Sequence, residues 1–179
     1  MPTSVNSLSS PETSRANTAP GGADRRPWSL RMAEAIIKRH PDSWTIEQRS
    51  QRPPPANRPP ATPKWSYSGA YLLRAIFEVG LQKNRPAMLD YARHYADAFI
   101  RADGSIDPKK YQPTNYRLDD IAPGQLLLEL AQHGDGARYL QACGELVKQL
   151  ATQPRNPDGG FWHKKIYPHQ MWADGLFMA

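Results

Sequence analysis

Pro86-Ala87-Met88-Leu89-Asp90-Tyr91-Ala92-Arg93-His94-Tyr95-Ala96-Asp97-Ala98-Phe99-Ile100 is the stretch that decides the fold. Met88, Tyr91, Ala92, Tyr95 and Phe99 fall at i, i+3, i+4, i+7 and i+11, which is one apolar stripe of a helix. Pro86 suits the first helical position, where a missing N–H costs nothing. Asp103-Gly104 ends the unit. Immediately upstream, Ser66 to Leu81 is also helical. There Tyr67, Tyr71, Ala75 and Val79 recur every four residues, flanked by Ala70, Leu73 and Phe77. Asn84-Arg85-Pro86 is the turn between the two. Helix, short turn, helix makes an antiparallel hairpin.

Working outward, the pattern recurs. A polar loop carrying Tyr111, Asn115 and Tyr116 leads to a helix over Ile121 to His133, capped by Asp119 or Asp120 and with Pro123 in its first turn. Gly134-Asp135-Gly136 turns the chain into Ala137 to Ala151, with Leu140, Cys143, Val147 and Leu150 as its apolar stripe. Pro154 closes that helix. Pro157-Asp158-Gly159-Gly160 opens a further loop, and Gln170 to Met178 reads as the start of another helix. On the N-terminal side, Trp28 to Arg39 forms a helix with Met32, Ala35, Ile36 and Arg39 on one stripe, stopped by Pro41. Residues 52–63 are a proline-rich loop that reads as a stiff spacer, with an SH3-type ligand as the alternative. Residues 1–26 have almost no large apolar side chains and are expected to be disordered. No strand pattern appears, so the class is all-α, with the folded domain over residues 27–179.

Composition excludes several functions. The formal charge of +6 is unevenly spread: residues 1–64 hold ten Lys or Arg against five Asp or Glu, and residues 65–179 hold thirteen against twelve. No basic face emerges from the folded part, so nucleic-acid binding is not expected. One cysteine, Cys143, permits no internal disulfide and no Cys-rich metal site. With no apolar run long enough to span a bilayer and no leader, a soluble, cytoplasmic protein with no membrane partner is expected.

The chemistry-bearing residues cluster late. Gly159 to Gly175 holds two histidines, two lysines, four aromatic rings and a carboxylate. Flat rings cover sugar faces and a carboxylate moves protons, so a sugar site is indicated. The plainer reading of Asp174 is an acid complementing a helix dipole. Spacing favours the first. Trp65, Asp119 and Asp174 stand 54 and then 55 residues apart, each at the start of a helical unit. A hairpin returns the chain to the end where it began, so all three belong at one end of the array. Crowding two carboxylates there favours holding a proton on one of them. Helix pairs of this period also describe scaffold solenoids.

At Trp65-Ser66-Tyr67, Tyr116-Arg117-Leu118-Asp119-Asp120-Ile121-Ala122-Pro123-Gly124 and the run from Gly159 to Met178, the chain resembles the unsaturated glucuronyl and rhamnogalacturonyl hydrolases, glycoside hydrolase families 88 and 105. Gly-Phe-Trp-His-Lys followed by Gln-Met-Trp-x-Asp-Gly is the specific part. Ala173 stands at x, where the family usually has an aliphatic residue. The resemblance implies an (α/α)6 barrel of six helical hairpins. It also implies a substrate, an oligosaccharide with a 4,5-unsaturated uronic acid at its non-reducing end. Asp174 would then be the catalytic acid and base, and Asp119 the second catalytic carboxylate. His163, Lys164, Trp172 and Gln170 would bind substrate, Asp120 would remain a helix cap, and no metal or organic cofactor is implied.

Members of these families are roughly twice as long, and six hairpins do not fit into 179 residues. The chain is therefore expected to form about the first half of a barrel. Met171, Trp172, Leu176, Phe177 and part of the Leu126 to Leu130 run should be left uncovered, which invites a second chain that completes the barrel. The alternative function is a truncated, non-catalytic helical-hairpin fragment or interaction module.

Overall fold

The computed structural model describes residues 25–46, 62–134 and 136–179. The expected disorder of the N-terminal tail and nearly all of the proline-rich loop lie outside the described residues. Six α-helices follow in order: α1 (Trp28–Arg39), α2 (Tyr67–Gln82), α3 (Pro86–Asp97), α4 (Pro123–Gln132), α5 (Gly136–Thr152) and α6 (Gly175–Met178). Short 3-10 turns lie at Ser43–Thr45, Pro113–Asn115 and Leu118–Asp120. Among the described residues there is no strand, only isolated bridges at Ile100–Ile106 and Arg155–Phe161. None of the described helices is long and apolar enough to cross a membrane.

Two hairpins, α2–α3 and α4–α5, pack side by side through α2 and α4. The first turn is fixed locally. Asn84 takes a positive φ of 49°, and Arg85 N–H donates to the Gly80 carbonyl at 2.8 Å. Glycine at position 80 is required because a Cβ there would lie 2.9 Å from both Leu89 and Met88 of the facing helix. Ser66 caps α2, its hydroxyl accepting from Gly69 N–H at 3.3 Å. Between hairpins, Arg74 donates to Glu129 at 3.0 Å and to Gln125 at 3.0 Å, and Gln125 donates to the Phe177 carbonyl at 2.8 Å.

The stripe of α3 is buried as the spacing predicts: Met88, Tyr91, Ala92, Tyr95 and the following Phe99 are all inside. Elsewhere the inward faces are rotated from the expected ones. In α1, Leu30 and Ala33 are buried, whereas Met32 and Ala35 face out. In α2, Ala70, Leu73, Ile76 and Phe77 form the buried face, and the Tyr67-Tyr71-Ala75-Val79 row lies along its edge. In α5, the buried residues are Tyr139, Ala142, Leu146 and Gln149, while Leu140 and Val147 are exposed. Polar Gln149 belongs to the inner face because loop carbonyls need its amide, and an apolar count overlooks it.

One end of the array is tied together across the repeat. Trp65 packs edge-on to Phe99 at 5.3 Å, and its indole N–H donates to the Asp120 carbonyl at 2.9 Å. Leu118 N–H donates to the His163 carbonyl at 3.0 Å. The starts of the successive units therefore meet at the same end. Met171, Trp172, Leu176, Phe177 and Leu128 are exposed, with Leu176 and Phe177 at 73% and 61%, while Leu126, Leu127 and Leu130 are buried.

Candidate active site

Three backbone segments converge on one imidazole. His163 N–H donates to the Gln170 carbonyl at 2.8 Å, closing the loop around Pro168, and its carbonyl accepts from Leu118. Those two bonds hold the ring against the Leu118–Asp120 turn. The side chain is 1% exposed. Its Nε2 lies 3.2 Å from Asp119 Oδ1 and its Nδ1 4.0 Å from Asp174 Oδ1. An ionised carboxylate only accepts, so Nε2 carries the proton and Nδ1 turns its lone pair toward Asp174. Nδ1 has no hydrogen-bond partner among the described residues. Burial lowers the His163 pKa; the pull of Asp119 and Asp174 in the other direction does not overcome it, and Lys164 adds to the lowering. The ring is therefore neutral near pH 7.

The structure brings Asp119, His163, Lys164, Trp172 and Asp174 together. Lys164 Nζ is 2.7 Å from Asp119 Oδ2, and Arg117 reaches the same oxygen at 3.3 Å. Burial pushes the Asp119 carboxyl up, but the hydrogen bond and charge of Lys164, helped by Arg117 and His163, bring it below the usual carboxylate value. Of the two carboxylates expected to hold one proton between them, Asp119 is thus the one that stays ionised. An imidazole stands between the two acids, and two cations keep Asp119 ionised. Asp174 is the open member, its side chain 53% exposed against 11% for Asp119.

The Trp172 indole stacks on His163, with centroids 4.2 Å apart and planes 7° from parallel, and on Tyr167 at 5.7 Å and 14°. Lys164 Nζ sits 5.6 Å from the Trp172 ring. Gln170 is exposed, and its side-chain oxygen accepts from the Trp172 indole N–H at 3.2 Å, which braces the ring. Asp174 precedes α6 directly, and Gly175 allows the close approach beside it: a Cβ there would lie 3.1 Å from Leu118 and 3.5 Å from His163 Nδ1. The helix expected from Gln170 begins only at Gly175, because the Gln170 carbonyl is bound to the His163 loop.

Asp120 is not a helix cap. Ala122 occupies that position, with no side-chain capping bond. Instead the Asp120 carboxyl is buried, 3.8 Å from Arg117 Nε. Burial raises its pKa to about 6, opposed by Arg117 and reinforced by Asp119.

Residues that sequence reasoning passed over hold the loops in place. Gln153 donates to the carbonyls of Trp162 at 2.8 Å and Tyr116 at 3.0 Å. Gln149 donates to the Arg117 carbonyl at 3.2 Å and accepts from the Tyr111 hydroxyl at 2.9 Å. A pair of glutamines four apart on one helix face was the available signal. Tyr116 and His169, in the two loops, adopt positive φ of 46° and 62° without being glycine, a strained backbone often found at binding sites.

Comparison with known proteins supports the helical-hairpin fold. The family model for Glycosyl Hydrolase Family 88 matches residues 28–179. Among solved structures, the chain is similar to a glycoside hydrolase from family 105 of C. acetobutylicum ATCC 824, with a TM-score of 0.71 and 30% identity. That match covers 85% of this chain and 37% of the clostridial one. The hairpins described above are accordingly part of an (α/α)6 barrel.

Proposed function

Because the chain belongs to glycosyl hydrolase family 88, we propose that it releases a 4,5-unsaturated uronic acid from the non-reducing end of lyase-generated, pectin-type oligosaccharides. The observation that supports this most is the line Asp119–His163–Asp174 beneath an exposed indole. One carboxylate there is held ionised and buried, and the other is exposed to solvent beside the Trp172 and His163 rings.

The reaction starts at the C4=C5 double bond of a vinyl ether rather than at the anomeric carbon. Asp174 delivers a proton to C4, which leaves positive charge shared between C5 and the ring oxygen. Asp119, kept ionised by Lys164 and Arg117, supplies negative charge beside that cation. Water adds at C5, and Asp174 takes the proton it sheds, ending as it began. The hemiketal at C5 opens by breaking its bond to the ring oxygen. That oxygen becomes the hydroxyl of a hemiacetal at C1, which collapses and expels the neighbouring sugar. Neutral His163 keeps the two acids apart and orients Asp119, and Trp172 covers one face of the ring.

The test is loss of the ultraviolet absorbance of the C4=C5 bond when an unsaturated pectin oligosaccharide is supplied. Asp174→Asn should slow that loss by about 10²–10⁴-fold, the usual scale for removing a general acid–base group. Undiminished turnover in this variant would reject the role given to Asp174.

The exposed Leu176 and Phe177, together with Leu140 and Val147 on α5, favour a second reading beside the first. Here the unit docks through this apolar edge onto another chain that completes the barrel. Concentration-dependent light scattering measures it, and a monodisperse monomer at all concentrations would oppose it.

A further inference from the structure

Two cavities lie beside the candidate site, next to it through Arg117 and Lys164, which contact Asp119, and Tyr167, which stacks on Trp172. One, of about 590 Å³, is lined by Lys64, Lys109, Lys110 and Arg117, with Trp44 on one wall. The other, of about 440 Å³, is lined by Arg117, Lys164, Lys165 and Tyr167. Asn115 and Arg117 line both, so the two cavities adjoin and together make a basic groove on this face. It ends at Tyr167, which stacks on Trp172 of the site. Among the described residues, six cationic side chains line the groove and Asp120 is the one acidic lining residue. From residue 65 on, thirteen basic residues face twelve acidic ones, so this clustering is not a reflection of overall basicity. Sequence reading found no basic face, and the fold assembles one.

We propose that this groove binds the acidic sugar units on the reducing side of the unsaturated residue, so that preferred substrates carry several carboxylates rather than one. The proposal rests on the reading of the Asp119–Asp174 site as the place where the unsaturated residue sits. Adjacency to that site, through Arg117, Lys164 and Tyr167, favours a saccharide over other polyanions. Asp119 already offsets part of the charge of Lys164 and Arg117. Lys109 and Lys165 are exposed. Lys110 Nζ donates to the Pro63 carbonyl at 2.9 Å, and Lys165 Nζ lies 5.7 Å from the Tyr116 ring, contacts that fix direction without cancelling charge. Burial lifts the Asp120 pKa to about 6, so the groove's one carboxylate loses its repulsion in mildly acidic solution.

Calorimetric titration of the full chain with trigalacturonate and with maltotriose tests this. Trigalacturonate should bind about tenfold more tightly at low ionic strength, and the preference should fade toward 1 M salt, where charges are screened beyond about 3 Å. The double variant Lys109→Ser with Lys165→Ser, which touches neither Asp119 nor Asp174, should lose about three- to tenfold for trigalacturonate and nothing for maltotriose. Equal binding of the two sugars, or indifference to the double variant, overturns the proposal. So does a single-stranded oligonucleotide that binds as tightly as trigalacturonate and is weakened equally by the variant. Chromophore loss from an unsaturated disaccharide is followed separately. Turnover with charge-blind binding removes the groove and keeps the catalytic reading; charge-dependent binding without turnover does the reverse.

Discussion

Asp120→Asn should make the protein more stable at neutral pH, and the gain should vanish in acid. In the unfolded chain this carboxyl ionises near the ordinary Asp value of about 4. In the folded protein burial lifts it to about 6, with Arg117 pulling it down and Asp119 pushing it up. Between those two values the folded state holds more protons than the unfolded one. Stability therefore falls as pH rises from about 4 to about 6, and the whole cost is present above that. Two pKa units correspond to about 3 kcal/mol. Asparagine keeps the shape and removes the charge. Arg117 is not orphaned by the change, since Asp119 Oδ2 remains 3.3 Å away. Urea unfolding followed by circular dichroism should show the variant about 1–3 kcal/mol more stable at pH 7.5 and equal to the parent at pH 4. If asparagine instead destabilises at pH 7.5, the ionised Asp120 is stabilising there through Arg117, and the reasoning from burial is wrong.

His163 should titrate below its ordinary value of about 6.5, because burial lowers its pKa. Its contribution to stability is therefore present above pH 6.5 and lost as pH falls below it; imidazole carbon shifts that titrate at 6.5 or higher would contradict this. Gln153→Ala strips the amide from the Tyr116 and Trp162 carbonyls and should cost about 1–3 kcal/mol in urea unfolding. Phe177→Asp places a charge on the exposed apolar edge and should reduce association measured by light scattering, with less than about 1 kcal/mol lost from each protomer.

Helix existence was legible wherever apolar periodicity and breakers agreed. Trp28–Arg39 was read at its true ends because Pro27 and Pro41 bracket it, and the α3 stripe was read correctly because large apolar residues occupy only its inner face. Rotation was less legible. In α5 the row Leu140, Cys143, Val147 and Leu150 competes with Tyr139, Ala142, Leu146 and Gln149, and the second is the buried one. Tyr139 reaches Asp97 of the preceding hairpin at 2.6 Å, and Gln149 and Gln153 reach the loops. These hydrogen bonds set the rotation of α5, and hydrophobicity alone does not encode them. Cys143 is half-buried against the core rather than inside it, and that burial lifts its pKa to about 11.

The chemistry-bearing residues of the site could be found in sequence because they stand in two short segments, Arg117 to Asp120 and His163 to Asp174. Their electrostatic state could not. Reading Asp119 and Asp174 as two crowded acids puts a proton on one of them without saying which, and Asp119 is the ionised one because Lys164, 45 residues away in the chain, lies 2.7 Å from it. Asp120, one residue along, is pushed the opposite way because the same turn buries it beside a weaker partner at 3.8 Å. Adjacent carboxyls of identical chemistry thus differ in charge near pH 6 solely through what the return loop brings against each. A fold that swapped those neighbours would leave Asp120 charged and Asp119 protonated. The charge beside the reacting ring would then be lost with every sequence motif still in place.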